Sequence, residues 1–246
     1  MTARNNDIVL ILGSGPQAPH SRNWNRSQFS DIVAINNAWN VRPDWTHLIH
    51  PEDFPPDRRP SELAPGQRMV DHTEYVPQTN RFGGMVYAGG TMAFTAGYWA
   101  LGAFQPRILA FMGCDMVYPS KGRTHFYGTG TADPLRDDLT LQSLEAKSAR
   151  LWFMAAEQGC LCVNLSTAPS RLLFPRAAPA ELAGLPRITA PHPKVTAPAI
   201  LNELKLGYTA PDGRYWEQRD QYDATELARI DALWLDAWGA ASVAVA

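Results

Sequence analysis

The chain has 246 residues, a hydrophobic share of 45% and a formal net charge of −2. That length accommodates one large core with a smaller appendage. The near-neutral charge argues against a nucleic-acid partner and against a polybasic membrane patch.

Met1 to Asp7 is polar and the apolar run after it is short, so no signal peptide is expected. No run reaches the roughly 18 apolar residues of a membrane-spanning helix. The expected location is the cytoplasm. Peripheral membrane association and a homo-oligomer are both compatible with the composition. Cys114, Cys160 and Cys162 read as small core residues of a reducing compartment, because zinc-ligand spacing is lacking around them.

In chain order, residues 7–12 read as a first buried strand, 31–35 as a second and 45–49 as a third. Residues 51–86 are rich in Pro, Arg and polar groups and read as a long loop or insertion. A small-residue helix is expected over Thr91 to Leu101, ended by Gly102, then a strand over 107–112. The clearest helix runs over Leu139 to Gln158. Its stripe of Leu141, Leu144, Ser148, Leu151, Trp152 and Ala155 leaves Glu145, Lys147 and Arg150 on the other side. Asp137 or Asp138 caps its start and Gly159 its end. A strand at 161–165 follows. Strands alternating with helices predict an α/β, doubly wound, mostly parallel Rossmann-like sheet over residues 1–175. Residues 176–246 read as a Pro/Ala-rich arm and an amphipathic helix over 223–239, packed on the main domain.

Gly13-Ser14-Gly15-Pro16 directly follows the first strand, where a glycine turn offers backbone N–H groups to a phosphorylated ligand. With Ala18 the turn fits the relaxed dinucleotide fingerprint, but two features oppose it. Pro16 and Pro19 remove donors where a helix should begin, and Asn36-Asn37 stand where an acid should meet a ribose hydroxyl. A P-loop sequence is lacking too. Asn36 and Asn37 share the edge of the glycine turn in a parallel sheet, and their amides read uncharged groups. His47 and His50 lie on a predicted strand and face opposite ways, so no shared metal is expected. Glu52 and Asp53 at the strand's edge suit ribose or acceptor hydroxyls.

Further segments form an ordered set. After the glycine turn come Ala34-Ile35-Asn36-Asn37 and Gly89-Gly90-Thr91 with the helix ending Leu101-Gly102. Then come Ile108 to Asp115, and Val163-Asn164-Leu165-Ser166 with Ser170 and Phe174-Pro175. In order and spacing, residues 8–175 resemble the bacterial lipooligosaccharide sialyltransferases. The wider group includes flagellin-modification proteins and pterin diphosphokinase-like domains. The resemblance implies a metal-independent transferase that moves a sugar from a cytidine-monophosphate donor to a glycan, with no further cofactor. It implies that Gly15 and Asn36 lie against the nucleotide, with Gly13, Ser14 and Asn37 as further candidate substrate contacts. Gly89, Gly90 and Thr91 would lie against the phosphate or sugar carboxylate. Asp115 would end its strand in the crevice, either contacting ligand or capping the next turn, and Asn164 and Ser166 are candidate substrate contacts. His125 would be the base, with Thr129 the alternative at that position, and Tyr118 and Tyr127 would hold the leaving phosphate. The T-S-G triplet of that group reads Gly-Gly-Thr here. The alternatives are a Mg/ATP-dependent pterin diphosphokinase-like transferase and a non-catalytic nucleotide-binding module.

Residue chemistry fits a transferase. A neutral His suits proton removal from an acceptor hydroxyl, and Tyr, Thr and backbone N–H groups can stabilise a departing phosphate. The chain contains no D-x-D triplet. The loop from Ser120 to Gly130 is glycine-rich, cationic and aromatic, the makeup of a segment that closes over a phosphorylated ligand.

Overall fold

A computed structural model describes residues 7–129 and 137–243. Gly130, the last residue of the glycine-rich loop, lies outside the described residues.

The apolar runs form the centre of a six-stranded, all-parallel sheet of order β4-β3-β2-β1-β5-β6. The strands are β1 (Ile8–Leu12), β2 (Asp31–Ile35), β3 (His47–Ile49), β4 (Arg68–Val70), β5 (Ile108–Met112) and β6 (Leu161–Asn164). Every residue of β1 and β5 is buried, as expected for strands covered on both faces. Val9, Ile11, Val33, Ile35, Leu109 and Phe111 face one layer. Ile8, Leu10, Leu12, Ile32, Ala34 and Met112 face the other, following the two-residue alternation of a strand.

The chain runs outward from β1 to β4 and then returns to β5 and β6. Crossovers of a single hand therefore place their connections on opposite faces of the sheet, which makes the sheet doubly wound. On the return path lie α1 (His72–Asn80), α2 (Met85–Ala88), α3 (Met92–Phe104) and α4 (Leu144–Glu157). On the outward path the cover consists of 3₁₀ turns at Ala18–Asn23, Arg26–Gln28 and Asn36–Asn40. The turn at Pro179–Gly184 brings Leu182 onto the same face.

Two expectations are corrected. Residues 51–86 are not one loop, because they hold β4, α1 and α2. Strand β4 is a three-residue edge strand with Arg68 and Met69 exposed, so it carries no apolar run. Helix α1 has Pro77 inside it and no apolar stripe. Its start is capped by Asp71, which accepts from the Thr73 N–H at 2.9 Å.

The long helix over 139–158 is two elements. Asp138 caps a 3₁₀ turn at Leu139–Leu141, and Ser143 caps α4. Lys147 and Arg150, placed off the apolar stripe, are buried. The C-terminal region covers that side of α4 and supplies their partners. Asp231 lies 2.7 Å from Lys147, and Glu203 forms a two-pronged pair with Arg150 at 2.8 Å per contact.

The C-terminal region also contains α5 (Ala197–Leu206). Pro198 stands in its first turn and Gly207, at φ 62°, terminates it. Helix α6 (Ala224–Val243) then packs Leu227, Ile230 and Trp234 into the same core as α3 and α4.

Candidate functional site

The strand register sets the place of the site. Leu12 pairs with Met112 on one side and with Ala34 on the other, so β1, β2 and β5 end at one level. Their following loops leave from a single edge. Between β1 and β5 the strand order reverses, and in open parallel sheets ligands sit beyond the carboxyl ends of the strands at such a point.

A crevice of ≈ 210 Å³ opens there. It is lined by Gly13, Ser14, Gly15 and Pro16 from the β1 loop and by Asn36 and Asn37 after β2. Thr91, Met92 and Ala93 come from the start of α3, and Asp115, Met116, Tyr118, Thr124, His125 and Tyr127 from the segment after β5. The crevice thus unites most of the residues singled out in the sequence. Gly89, Asn164 and Ser166 are not among its lining residues. Gly90 lines a neighbouring hollow instead.

The glycines of the turn act differently from the expectation. Gly13 donates to the Met112 carbonyl and Gly15 to the Gly113 carbonyl, each at 2.8 Å. The β1–β5 ladder continues past the strand ends, so these two N–H groups are directed into the protein. A Cβ on Gly13 would lie 2.4 Å from the Gly113 carbonyl oxygen, so glycine is needed here for close approach of two loops. A 3₁₀ turn with proline in its first positions follows, so the N-terminus of a long helix does not stand behind this turn.

That feature comes from α3. Thr91 occupies its N-cap position without a side-chain cap bond, and Thr91, Met92 and Ala93 all line the crevice. The first turn of a helix presents N–H groups and a partial positive charge to anions. Arg58 adds a cation to the same lining. Sequence reasoning missed Arg58 because it lies within the segment read as a loop.

The aromatic wall is ordered by the backbone. Phe126 N–H donates to the Ser14 carbonyl at 2.9 Å, and His125 and Gly128 exchange backbone hydrogen bonds at 2.9 and 3.1 Å. The His125 ring stacks on Tyr127 at 4.9 Å and lies 6.2 Å from Tyr118. Its Nδ1 is 2.9 Å from the Thr124 hydroxyl. Burial pushes the His125 pKa below the usual histidine value, which keeps the ring neutral at pH 7. Thr129 donates to the Gly122 carbonyl at 3.0 Å and is not part of the lining.

Asn164 and Ser166 hold the loops in place. Asn164 Nδ2 donates to Asp115 at 3.3 Å and to Ser170 at 2.9 Å. The Ser166 hydroxyl donates to Gln17 Oε1 at 2.9 Å. They fix the neighbours of the crevice from behind.

Backbone strain concentrates at this edge. Asn36 at φ 51° and Met116 at φ 53° are in the left-handed region, and both line the crevice. Such conformations persist where surrounding structure enforces them, often at ligand sites. The Asn36 Oδ1 is buried and has no hydrogen-bond partner among the described residues.

A larger hollow of ≈ 690 Å³ adjoins the crevice, and Asn36, Phe54 and Met92 line both. Its walls include Glu52, Asp53, His72 and Tyr75 on one side and Asp212, Arg214, Tyr215, Trp216 and Arg219 on the other. The 212–219 wall was not foreseen. It follows α5 in the chain and is held by Tyr215, whose hydroxyl donates to Asp138 at 2.6 Å. Gly90 permits this, since a Cβ there would sit 1.9 Å from the Tyr215 hydroxyl.

Among the described residues no group of three or more His, Cys, Asp and Glu is placed to hold a metal. No helix there is long and apolar enough to cross a membrane. All three cysteines are buried and unbridged. Fold and crevice define the protein as a Rossmann-like α/β chain with a polar crevice at its topological switch point. Compared with family models, curated proteins and solved structures, the chain matches none.

Proposed function

We propose that this protein is a glycosyltransferase that moves a sugar from a cytidine-monophosphate donor to a glycan hydroxyl. The observation that carries the reading is the makeup of the crevice. The start of α3 and Arg58 face the glycine turn and the uncharged Asn36-Asn37 pair, with His125 between two tyrosines. An anionic phosphate fits the first group, a nucleoside fits the amides, and a neutral imidazole is available for proton transfer. The resemblance of residues 8–175 to sialyltransferases supplies the choice of donor.

In this mechanism the acceptor hydroxyl attacks the anomeric carbon while His125 takes its proton. The bond from that carbon to the phosphate oxygen breaks, and cytidine monophosphate leaves. Arg58, the N–H groups of α3 and the hydroxyls of Tyr118 and Tyr127 meet the charge that develops on the phosphate. A positioned base of this kind contributes about 10²–10⁴-fold.

The test is a thermal-shift panel of nucleotides with and without Mg²⁺, followed by donor turnover in wild type and His125→Ala. Cytidine monophosphate at about 100 times its Kd should stabilise the fold by about 2.7 kcal/mol. Turnover should drop with His125→Ala while that stabilisation remains. Stabilisation by ATP with Mg²⁺ alone would favour a diphosphokinase-type reaction. Cytidine binding with no turnover in either form would leave a binding module.

A further inference from the structure

The two cavities differ in chemistry. The crevice has Arg58 and a helix N-terminus against one carboxylate, Asp115. The larger hollow has five carboxylates in its lining. Both of its arginines are already engaged. Arg214 lies 3.3 Å from Glu52, and Arg219 lies 3.2 Å from Asp137. A second anion in the larger hollow would therefore meet an excess of negative charge, which disfavours it.

What the hollow offers is an exposed indole beside hydroxyl acceptors. Trp216 is 57% exposed, set at 5.4 Å edge-to-face against Tyr215. A large aromatic left in solvent next to a cavity offers a flat apolar face with a polar rim. Carboxylates accept hydrogen bonds from hydroxyl groups and give none when ionised. A pyranose has both complements: a C–H face for the indole and a ring of O–H donors for Glu52, Asp53 and Asp212. The volume of ≈ 690 Å³ lies within the range of small-molecule sites and is too large for one hydroxyl group alone.

We propose that this hollow is the acceptor subsite, and that it takes the neutral end of an oligosaccharide seated on Trp216. The assignment rests on the transferase reading given above. The two cavities meet at Asn36, Phe54 and Met92, so a sugar bound here would have a hydroxyl at the mouth of the donor crevice. The C-terminal wall at 212–219 then serves acceptor choice and the strand-end loops serve the donor.

The experiment is saturation-transfer NMR on the full chain with a panel of methyl glycosides. The panel holds the neutral galactoside, glucoside and N-acetylglucosaminide, with methyl glucuronide as the anionic control. At least one neutral glycoside should receive saturation, and Trp216→Ala should weaken its binding at least about tenfold. The shift in melting temperature caused by cytidine monophosphate should be equal in wild type and Trp216→Ala. Neutral glycosides that bind through Trp216 in a protein unmoved by cytidine monophosphate would uphold the subsite and overturn the donor. A cytidine response with no glycoside binding would overturn the subsite and leave the donor reading standing. Binding unchanged in Trp216→Ala, or a glucuronide bound as well as the neutral sugars, would also overturn it.

Discussion

Glu203→Gln tests whether the C-terminal region is part of the core. Glu203 is 7% exposed and Arg150 is 1% exposed. The carboxylate takes two hydrogen bonds from the guanidinium and one from the Trp234 indole, all at 2.8 Å. Arg150 also donates to the Tyr98 hydroxyl at 2.7 Å and to the Phe82 carbonyl at 2.5 Å. Glutamine keeps the size of the side chain but leaves a buried guanidinium without a counter-charge. Its amide also turns an N–H₂ toward one of the three donors. Breaking a buried pair from one side costs about 3–5 kcal/mol, a large part of the about 5–15 kcal/mol that holds a typical domain together. Urea unfolding followed by far-UV circular dichroism should show that loss as a lower midpoint with an unchanged slope. The double variant Arg150→Met/Glu203→Leu removes both charges and should lose less than Glu203→Gln alone. A loss under about 1 kcal/mol for Glu203→Gln would refute the reasoning, since that is the scale of a solvent-exposed pair.

Gly13→Ala places a methyl 2.4 Å from the Gly113 carbonyl oxygen and 2.7 Å from Cys114 Sγ. Overpacking of this kind costs about 1–3 kcal/mol, so the calorimetric melting temperature should fall, and an unchanged one would disprove the close approach. Burial lowers the pKa of His47 and of His125 from the ordinary 6.5. Below that value the unfolded chain binds more protons than the native one. Their contribution to stability is therefore complete above pH 6.5 and is lost as pH falls through the lowered native values. Proton NMR should place both imidazole midpoints under 6.5, and a midpoint above it for either ring would contradict the burial argument. Burial pushes the Cys114 and Cys162 thiols up, and Cys160 is buried as well. Dithionitrobenzoate should therefore label none of the three in the native protein and all of them in guanidinium; rapid native labelling would show that the core opens. Asn36→Gly removes the cost of φ 51° and of a buried oxygen without a partner. The unliganded protein should melt no lower than wild type while its stabilisation by cytidine monophosphate shrinks, and a clear loss of stability would make Asn36 structural.

The strands β1, β2, β5 and β6 were legible because burial on both faces writes a continuous apolar run into the chain. Helix α3 was legible for a similar reason, being buried through its first ten residues. Strand β4 was not, because an edge strand of three residues with two side chains in solvent leaves no such trace. Helix α1 did carry a signal, Asp71 followed three residues later by Glu74, the spacing of a capping pair. Pro77 and the surrounding polar residues masked it. At the site, the residues after β1, β2 and β5 were legible because parallel strands in register bring their carboxyl ends to one edge. Arg58 and the wall at 212–219 were not. No local pattern ties them to that edge, and only the docking of α5 and α6 brings the C-terminal wall to it.

The buried charges of α4 show how the far end of the chain reaches the site. A helix on the outside of a sheet should keep its cations in water, yet Lys147 and Arg150 point into a second layer. There Asp231 and Glu203 meet them. Burial raises the pKa of Asp231 and the Lys147 ammonium opposes that rise, so the lysine beside it favours the charged carboxylate. The two pairs lock α5 and α6 against α4, and the chain between those helices must then cross the sheet edge beside α3. Along that crossing lie Asp212, Arg214, Tyr215, Trp216 and Arg219. Tyr215 fastens it to Asp138, the same residue that caps the 3₁₀ turn ahead of α4. The wall of the larger hollow is thus positioned by ion pairs in the core. The crevice at the strand ends is built without α5 and α6, from the loops after β1, β2 and β5, Arg58 and the start of α3. A change in the C-terminal anchors should loosen the larger hollow while leaving the loops after β1 and β5 in place, because the β1–β5 ladder holds those loops independently.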